Sequence, residues 1–338
     1  MVAPEEDNDN VFTTYDEGVT FASGDADDET ERWYYADGDG ELYQGKIKKI
    51  KGKYYAFRPE NTKKSAAMLT GLVLMRTDGD NVVQVLDDDV DADDLDKIIS
   101  DNLYDDDGTD RWIPSDATLF YFGNDEDHDG TMKTGNVTIN LDGDSYNFKF
   151  SKSGGAEGKG RGITGIDDKK YVYKYGMKLK ASNDDKYLVV YAKGDTASSS
   201  AQVAKIDSQE LRDNLDKPAG VNKDGDSVSY IGAVDKVWDG DFKLLSTSGA
   251  IVKDKTAAKD GADWYFYVDK EQIVMYANSK TLKADSKDTA NQATLDKGLA
   301  TWKNWRKADL AGSYKEIMTN PAIESFNTKN STKAEEEE

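Results

Sequence analysis

The chain has 338 residues, with 66 acidic and 44 basic side chains, a formal charge of −22 and no cysteine. A polyanion of this size is repelled by nucleic acid and by anionic membrane surfaces, and without thiols there is neither a disulfide framework nor a thiolate metal site. Hydrophobic residues make up 37% and charged residues 33%, and no apolar run of about 18 residues exists to span a bilayer. Tyr (19) outnumbers Phe (10) and Trp (6), so much of the apolar material carries a polar tip and suits half-buried strands better than a thick core. No signal peptide is visible, and Met1 leading directly into an acidic stretch reads as the start of a mature or recombinant fragment.

Residues 1–30 are rich in Asp, Glu, Gly, Ser and Thr and read as an acidic flexible leader; Val11-Phe12 and Val19-Thr20-Phe21 offer it one edge strand. Residues 31–76 write an aromatic hairpin twice. Trp33-Tyr34-Tyr35 leads into Asp39-Gly40, and Lys51-Gly52 leads into Tyr54-Tyr55-Ala56-Phe57. Tyr34 to Tyr54 and Tyr35 to Tyr55 are each 20 residues apart, and a fixed period of this size marks a repeat architecture. The Gly turns between apolar runs are where a two-residue hairpin loop needs positive φ.

Residues 77–117 form a strand–helix insertion: a strand at Asn81–Leu86, then a helix over Asp91–Tyr104, capped by Asp91, with Leu95, Ile98, Ile99 and Leu103 on one face. Hairpin repeats return over 118–195. Tyr146, Phe148 and Phe150, like Tyr171, Tyr173 and Tyr175, alternate with the period of strands that pack one face. Residues 196–225 read as a helical linker, with a capping box at Asp207–Glu210, Leu211 and Leu215 on one face, and Pro218 as terminator. A last hairpin unit occupies 226–282 and includes Trp264-Tyr265-Phe266-Tyr267. Residues 283–318 form an amphipathic helical cap through Leu295, Leu299, Trp302 and Trp305. Residues 319–338 are a disordered acidic tail.

The string Trp-Tyr-Tyr-x-x-x-x-Gly-x-Leu from Trp33, then Gly52-Lys53-Tyr54-Tyr55-x-Phe57 and Met68-x-Thr-Gly71, resembles the cell-wall-binding repeats of Gram-positive surface proteins. That family includes choline-binding modules, glucan-binding repeats and the repeat domains of clostridial toxins. Further matches are Tyr121-Phe122 with Gly130–Gly135, and Trp264–Tyr267; well under half the chain is covered. The resemblance implies a secreted, extracellular protein of the cell surface or cell wall, built as a β-hairpin solenoid that holds carbohydrate or wall polymer without covalent chemistry. In the choline-binding branch a Gly-Trp pair supplies one wall of an ammonium cage. Here Gly45 is followed by Lys46, Gly71 by Leu72, Gly135 by Asn136 and Gly165 by Ile166, so the choline wall is missing while the hairpin scaffold is kept.

Ligand-stacking candidates are Trp33, Tyr35, Tyr54, Tyr55, Phe57, Trp264 and Tyr265, since aromatic faces stack on sugar rings and on ammonium groups. Strand alternation also sends half of such rings inward as core. Trp33 and Tyr35 share a face, as do Tyr55 and Phe57, with Tyr34 and Tyr54 opposite; the sequence does not say which face is solvent. Asp125, Asp127 and Asp129 fit the opening of a calcium loop, but the Glu expected at its twelfth position is replaced by Asn136, and a hairpin turn accounts for the segment. The single histidine, His128, lies there too, which leaves no His-based triad. Nucleophile-elbow, phosphate-loop and dinucleotide motifs are absent, and Gly158-Lys-Gly160-Arg-Gly162 reads as a flexible loop. We therefore expect a mainly β protein of hairpin solenoid repeats, with short helical insertions and a C-terminal helical segment. It is no enzyme, needs no cofactor or metal, and binds cell-wall polymer or glycan. The alternative is a structural or assembly protein, a surface appendage or phage-associated fibre, with the repeats as a stalk and protein contacts or self-assembly as its business.

Overall fold

Positive-φ turns set the hairpins. In the computed structural model Lys51 and Gly52 have φ of 48° and 88°, and Asp142 and Gly143 have 50° and 90°, the pairing whose twist matches flanking strands. The structure describes residues 2–3, 32–59, 66–100, 102–104, 110–123, 130–153, 158–206, 208, 219–221, 227–231 and 241–277. The edge strand expected near 11–21, the loop at 125–129, most of the capping box with Leu211 and Leu215, the helical cap at 283–318 and the tail at 319–338 lie outside them. Among the described residues the protein is mainly β, with antiparallel sheets and one helix of eight residues. No described helix is long and apolar enough to cross a membrane. The chain forms two units, residues 1–163 with 175–177, and residues 164–174 with 178–338.

In the first unit, strand Lys46–Ile50 pairs with Lys53–Phe57, and Leu72–Asp78 pairs with both Asn81–Asp87 and Ala117–Tyr121. Lys46 opposite Asn81 joins the two hairpins. The sheet does not end at its outer strands. Met132 N–H donates to the Tyr54 carbonyl at 2.8 Å and Lys133 N–H to the Tyr121 carbonyl at 2.7 Å. Backbone hydrogen bonds therefore run round a closed circuit, which removes the exposed edges of an open sheet. One side of every member faces a shared core of Ile47, Ala56, Leu69, Val73, Met75, Val82, Phe120, Phe122 and Met132. The circuit adds to the expected hairpins a closure that the repeat spacing does not contain.

The helix runs from Ala92 to Ile99, capped by Asp91, whose side chain accepts from Asp94 N at 2.8 Å, and it buries Leu95, Ile98 and Ile99. It stops short of the expected Tyr104: Asn102–Tyr104 instead pairs with Asp110–Trp112, so Leu103 is on a strand. Hairpin Gly135–Leu141 with Asp144–Phe150 is in full register, and Asp142 at its turn accepts from Ala92 N. Val2–Ala3, within the expected flexible leader, pairs with Arg32–Trp33.

The second unit packs two sheets around one core. Tyr187–Lys193 lies between Gln202–Ile206 and Asp241–Ser246; Gln202–Ile206 is thus a strand inside the stretch expected to be a helical linker. Tyr265–Asp269 lies between Lys255–Lys259 and Gln272–Ala277. Val189, Tyr191, Ile206, Phe242 and Leu244 from the first sheet meet Phe266, Val268, Ile273 and Tyr276 from the second. Strand Tyr171–Lys174 departs from one-face packing, since Val172, Tyr173 and Lys174 are all buried.

A Cβ on Gly162 would lie 2.2 Å from the Tyr175 carbonyl oxygen, and backbone cannot yield cheaply. Gly162→Ala is expected to cost on the order of 2 kcal/mol or more, whereas Gly143→Ala, with open space around it, costs about 1 kcal/mol of left-handed backbone strain; urea unfolding of both variants checks the ranking. In the second unit, burial and then Asp167 push the Tyr173 phenol up to about 12, against about 10 in an unfolded chain. The folded state keeps a proton that the unfolded state loses, so stability is level below pH 10 and falls between pH 10 and 12. Tyr173→Phe should lose that part of the decline in alkaline denaturant titrations, and an unchanged profile would refute the assignment.

Candidate functional site

The opening turn arranges the first aromatic group. Asp37 Oδ1 accepts from Asp39 N and Glu41 N, each at 3.0 Å, and Asp37 N donates to the Glu41 carbonyl at 2.8 Å. The small hairpin this nucleates bridges Ala36 to Leu42 and sets Tyr43 N 2.9 Å from the Tyr35 carbonyl. The Tyr35 and Tyr43 rings then stack, with centroids 5.8 Å apart and planes 4° from parallel. Tyr43 also tilts against Phe57 at 5.8 Å, and Lys48 Nζ stands 5.0 Å from the Tyr43 centroid. Tyr34, one residue along, turns inward beside Ala66, Ala67 and Leu42. Tyr35 is 40% exposed and is the one exposed large aromatic among the described residues.

The sequence candidates thus separate. Tyr35 is the outward ring. Phe57 is 1% exposed and lies in the core beneath Tyr43. Trp33 is half-buried, and its carbonyl accepts from Met68 N at 2.7 Å. Tyr55 is half-buried opposite Lys48. Tyr54, on the other strand face, packs against the ring's core, with Lys49 Nζ at 5.8 Å and Lys159 Nζ at 4.1 Å from its centroid. Trp264 and Tyr265 belong to the second unit and are half-buried. Trp264 meets Tyr276 at 5.0 Å, and Asp260 accepts from Trp264 N and from the Tyr276 hydroxyl. Tyr43 and Lys48 join the Tyr35 group although neither is among the sequence candidates. Their signal was the Asp37–Gly40 turn, which sets position 43 across from 35, and the alternating lysines that follow.

The segment expected as a flexible loop is pinned at Arg161. Its guanidinium donates to Thr77 Oγ1 at 2.7 Å and to the Asp116 carbonyl at 2.6 Å, and lies 5.8 Å from the Phe120 ring. Burial lowers its pKa, with the Asp116 charge opposing. The adjacent Gly160 allows the chain against the Met132 sulfur, where a Cβ would fall 2.4 Å away. Among the described residues no three carboxylate or imidazole side chains come together to hold a metal ion; Asp125, Asp127 and Asp129 lie outside those residues. At the four positions after the repeat glycines, Lys46 and Asn136 are exposed while Leu72 and Ile166 are buried.

No family model matches the chain, and no curated protein matches it. Two solved structures from Streptococcus pneumoniae align with it at 16% identity over 72% of its length. They are CbpJ from strain TIGR4, aligned over 97% of that chain with a TM-score of 0.15, and choline binding protein F in the presence of a peptidoglycan analogue, aligned over 76% with a TM-score of 0.16. At such TM-scores the backbones do not superpose as one fold, and neither likeness decides what this chain binds.

The different burial of the stacked rings has a measurable consequence. Tyr43→Ala uncovers Phe57 and should cost about 2 kcal/mol, roughly half the penalty for a fully buried aromatic. Tyr35→Ala, at the exposed end, should stay within about 0.5 kcal/mol of the parent. Guanidinium unfolding monitored by near-ultraviolet dichroism compares them, and equal losses would contradict the placement of Tyr43 between Tyr35 and the core.

Proposed function

We propose that the protein is a non-catalytic binding protein of the bacterial cell surface that holds cell-wall polymer or another glycan on the Tyr35–Tyr43 rings. The observation that carries this is the parallel stack of those rings, with its outer member open to solvent. Sugar rings present apolar C–H faces, and a flat aromatic surface removes those faces from water while the hydroxyls stay hydrated. Phe57 beneath and the hydrogen-bonded turn beside it hold the rings in place, so little ordering entropy is lost on binding. The aromatic hairpin grammar of residues 33–71 supports the same role and location. Choline is disfavoured as the ligand, because Lys46, Leu72, Asn136 and Ile166 stand where its cage needs Trp, and an ammonium beside an ammonium is repelled.

Retention on cell-wall fragments and on a glycan array tests this. The parent chain should be retained, Tyr35→Ala should lose most of the retention with its melting temperature unchanged, and free choline should not elute the parent. Retention unaffected by Tyr35→Ala would move the site elsewhere, and no retention on any glycan would end the proposal.

A further inference from the structure

We propose that the outer face of hairpin 46–57, together with Tyr35 and Tyr43, takes an acidic polysaccharide: a chain of sugar rings carrying carboxylate or phosphate groups. This rests on the glycan reading above and adds a charge requirement to it. In a chain with 66 acidic and 44 basic residues, five lysines fall within the eight positions 46–53: Lys46, Lys48, Lys49, Lys51 and Lys53. No acidic residue interrupts them.

Register decides where they point. Lys46 pairs with Phe57, Lys48 with Tyr55 and Ile50 with Lys53, so these six side chains share one strand face. Ile47 and Ala56, on the opposite face, are core. The outward face therefore carries Lys46, Lys48 and Lys53 around Tyr55, and Lys48 Nζ sits 5.0 Å from the centroid of Tyr43, itself stacked on Tyr35. Lys46 and Lys53 are exposed. Lys46 Nζ donates to Asn81 Oδ1, which uses one of three ammonium donors and leaves the charge at the surface. A stacking surface and a row of ammonium groups thus adjoin, as a ligand with both apolar ring faces and negative substituents requires.

The chain's overall negative charge does not cancel this local field. At physiological ionic strength charges more than about 8 Å apart are largely screened, so nearby groups dominate. The nearby acids include Asp37, Asp39 and Glu41 of the turn, where Asp37 is occupied by two backbone N–H groups, and Asp80, whose carbonyl accepts from Ile47 N; against them the hairpin sets five lysines. Net charge opposes every polyanion alike, so the ring face selects among them: nucleic acid stacks its bases on one another, whereas each sugar of an acidic polysaccharide keeps an apolar C–H face open to the aromatic rings.

Titration calorimetry of the full chain with polygalacturonate, phosphorylated dextran, dextran and single-stranded DNA, at low and at 300 mM salt, tests the proposal. Polygalacturonate or phosphorylated dextran should bind, and the tighter of the two identifies carboxylate or phosphate as the preferred group. Dextran should bind at least tenfold more weakly, DNA should not bind, and added salt should weaken the acidic polymer. Lys46→Gln with Lys48→Gln should weaken acidic-polymer binding about tenfold, and Tyr35→Ala about fivefold, with melting temperatures unchanged. Dextran bound as well as polygalacturonate, with no effect of the lysine changes, would overturn the charge requirement and leave the neutral-glycan reading standing. Acidic-polymer binding insensitive to Tyr35→Ala would mean charge adsorption alone and would overturn it too, as would DNA bound equally well. Binding of no polymer would remove both readings.

Discussion

Two backbone hydrogen bonds, Met132 N–H to the Tyr54 carbonyl and Lys133 N–H to the Tyr121 carbonyl, turn an open sheet into a ring. They extend the pairing of the outer edges of strands Lys53–Phe57 and Ala117–Tyr121, where Leu69 N–H also donates to the Ala56 carbonyl and Gly162 N–H to the Leu119 carbonyl, and a buried backbone group left without a partner costs about 1–3 kcal/mol. The closing segment also brings Met132 into the core that the ring encloses. Gly160 lies on the Met132 sulfur, and Arg161 beside it reaches Thr77, Asp116 and the Phe120 ring. Backbone closure, core filling and the pinning of the glycine-rich segment are thus one connected arrangement. The position of Tyr54, held between the closing segment and Lys159, depends on all three.

Local chemistry was readable in the amino-acid order because its causes are local. Lys51-Gly52 and Asp142-Gly143 adopt positive φ at both turn positions, and the Asp91 cap lies three residues before the N–H it accepts. What escaped is non-local. Nothing in the spacing of Gly130-Thr-Met-Lys133 says that it pairs with residue 54 on one side and residue 121 on the other, because strand pairing across 78 residues leaves no period to count. The turn at Lys270 and Glu271, with φ of 48° and 64°, was hidden for the opposite reason. It has no glycine, and tertiary bonds hold it: Lys270 N to Asp254 Oδ1 at 3.0 Å and Glu271 N to the Lys253 carbonyl at 2.7 Å. The helix was overextended to Tyr104 because Leu103 keeps the apolar spacing, while the pairing of 102–104 with 110–112 ends the helix earlier.

The candidate rings were partly legible for a related reason. Alternation tells which rings share a face but not which face is wet, since a strand packed on both sides and one packed on a single side are written alike. Phe57, 1% exposed, and Tyr35, 40% exposed, were equal candidates in the sequence. Closure separates them: Ala56 faces the ring's core, Phe57 faces outward, and Tyr43 covers it from the neighbouring hairpin. Outward from a strand is therefore not the same as exposed. The last ring of the stack, Tyr35, is the exposed one, while Tyr43 is half-buried.

That stepwise order, from core ring to covering ring to open ring, bears on how a scaffold residue becomes a binding residue. Phe57 contributes apolar burial, Tyr43 covers it and fixes the angle of Tyr35, and Tyr35 contributes almost nothing to the core. Because the outermost ring is the least buried of the three, packing constrains its chemistry and that of the neighbouring exposed lysines least. The same holds for charge. Ile47 and Ala56 on the inner face of the 46–57 hairpin fill the core, whereas Lys46, Lys48 and Lys53 on the outer face cost the core nothing. A chain that is acidic elsewhere keeps five lysines within eight residues here, beside its outward aromatic stack. Packing does not require their charge, because neutral side chains would cover the strand equally well. On the proposed reading the arrangement answers to a ligand rather than to packing.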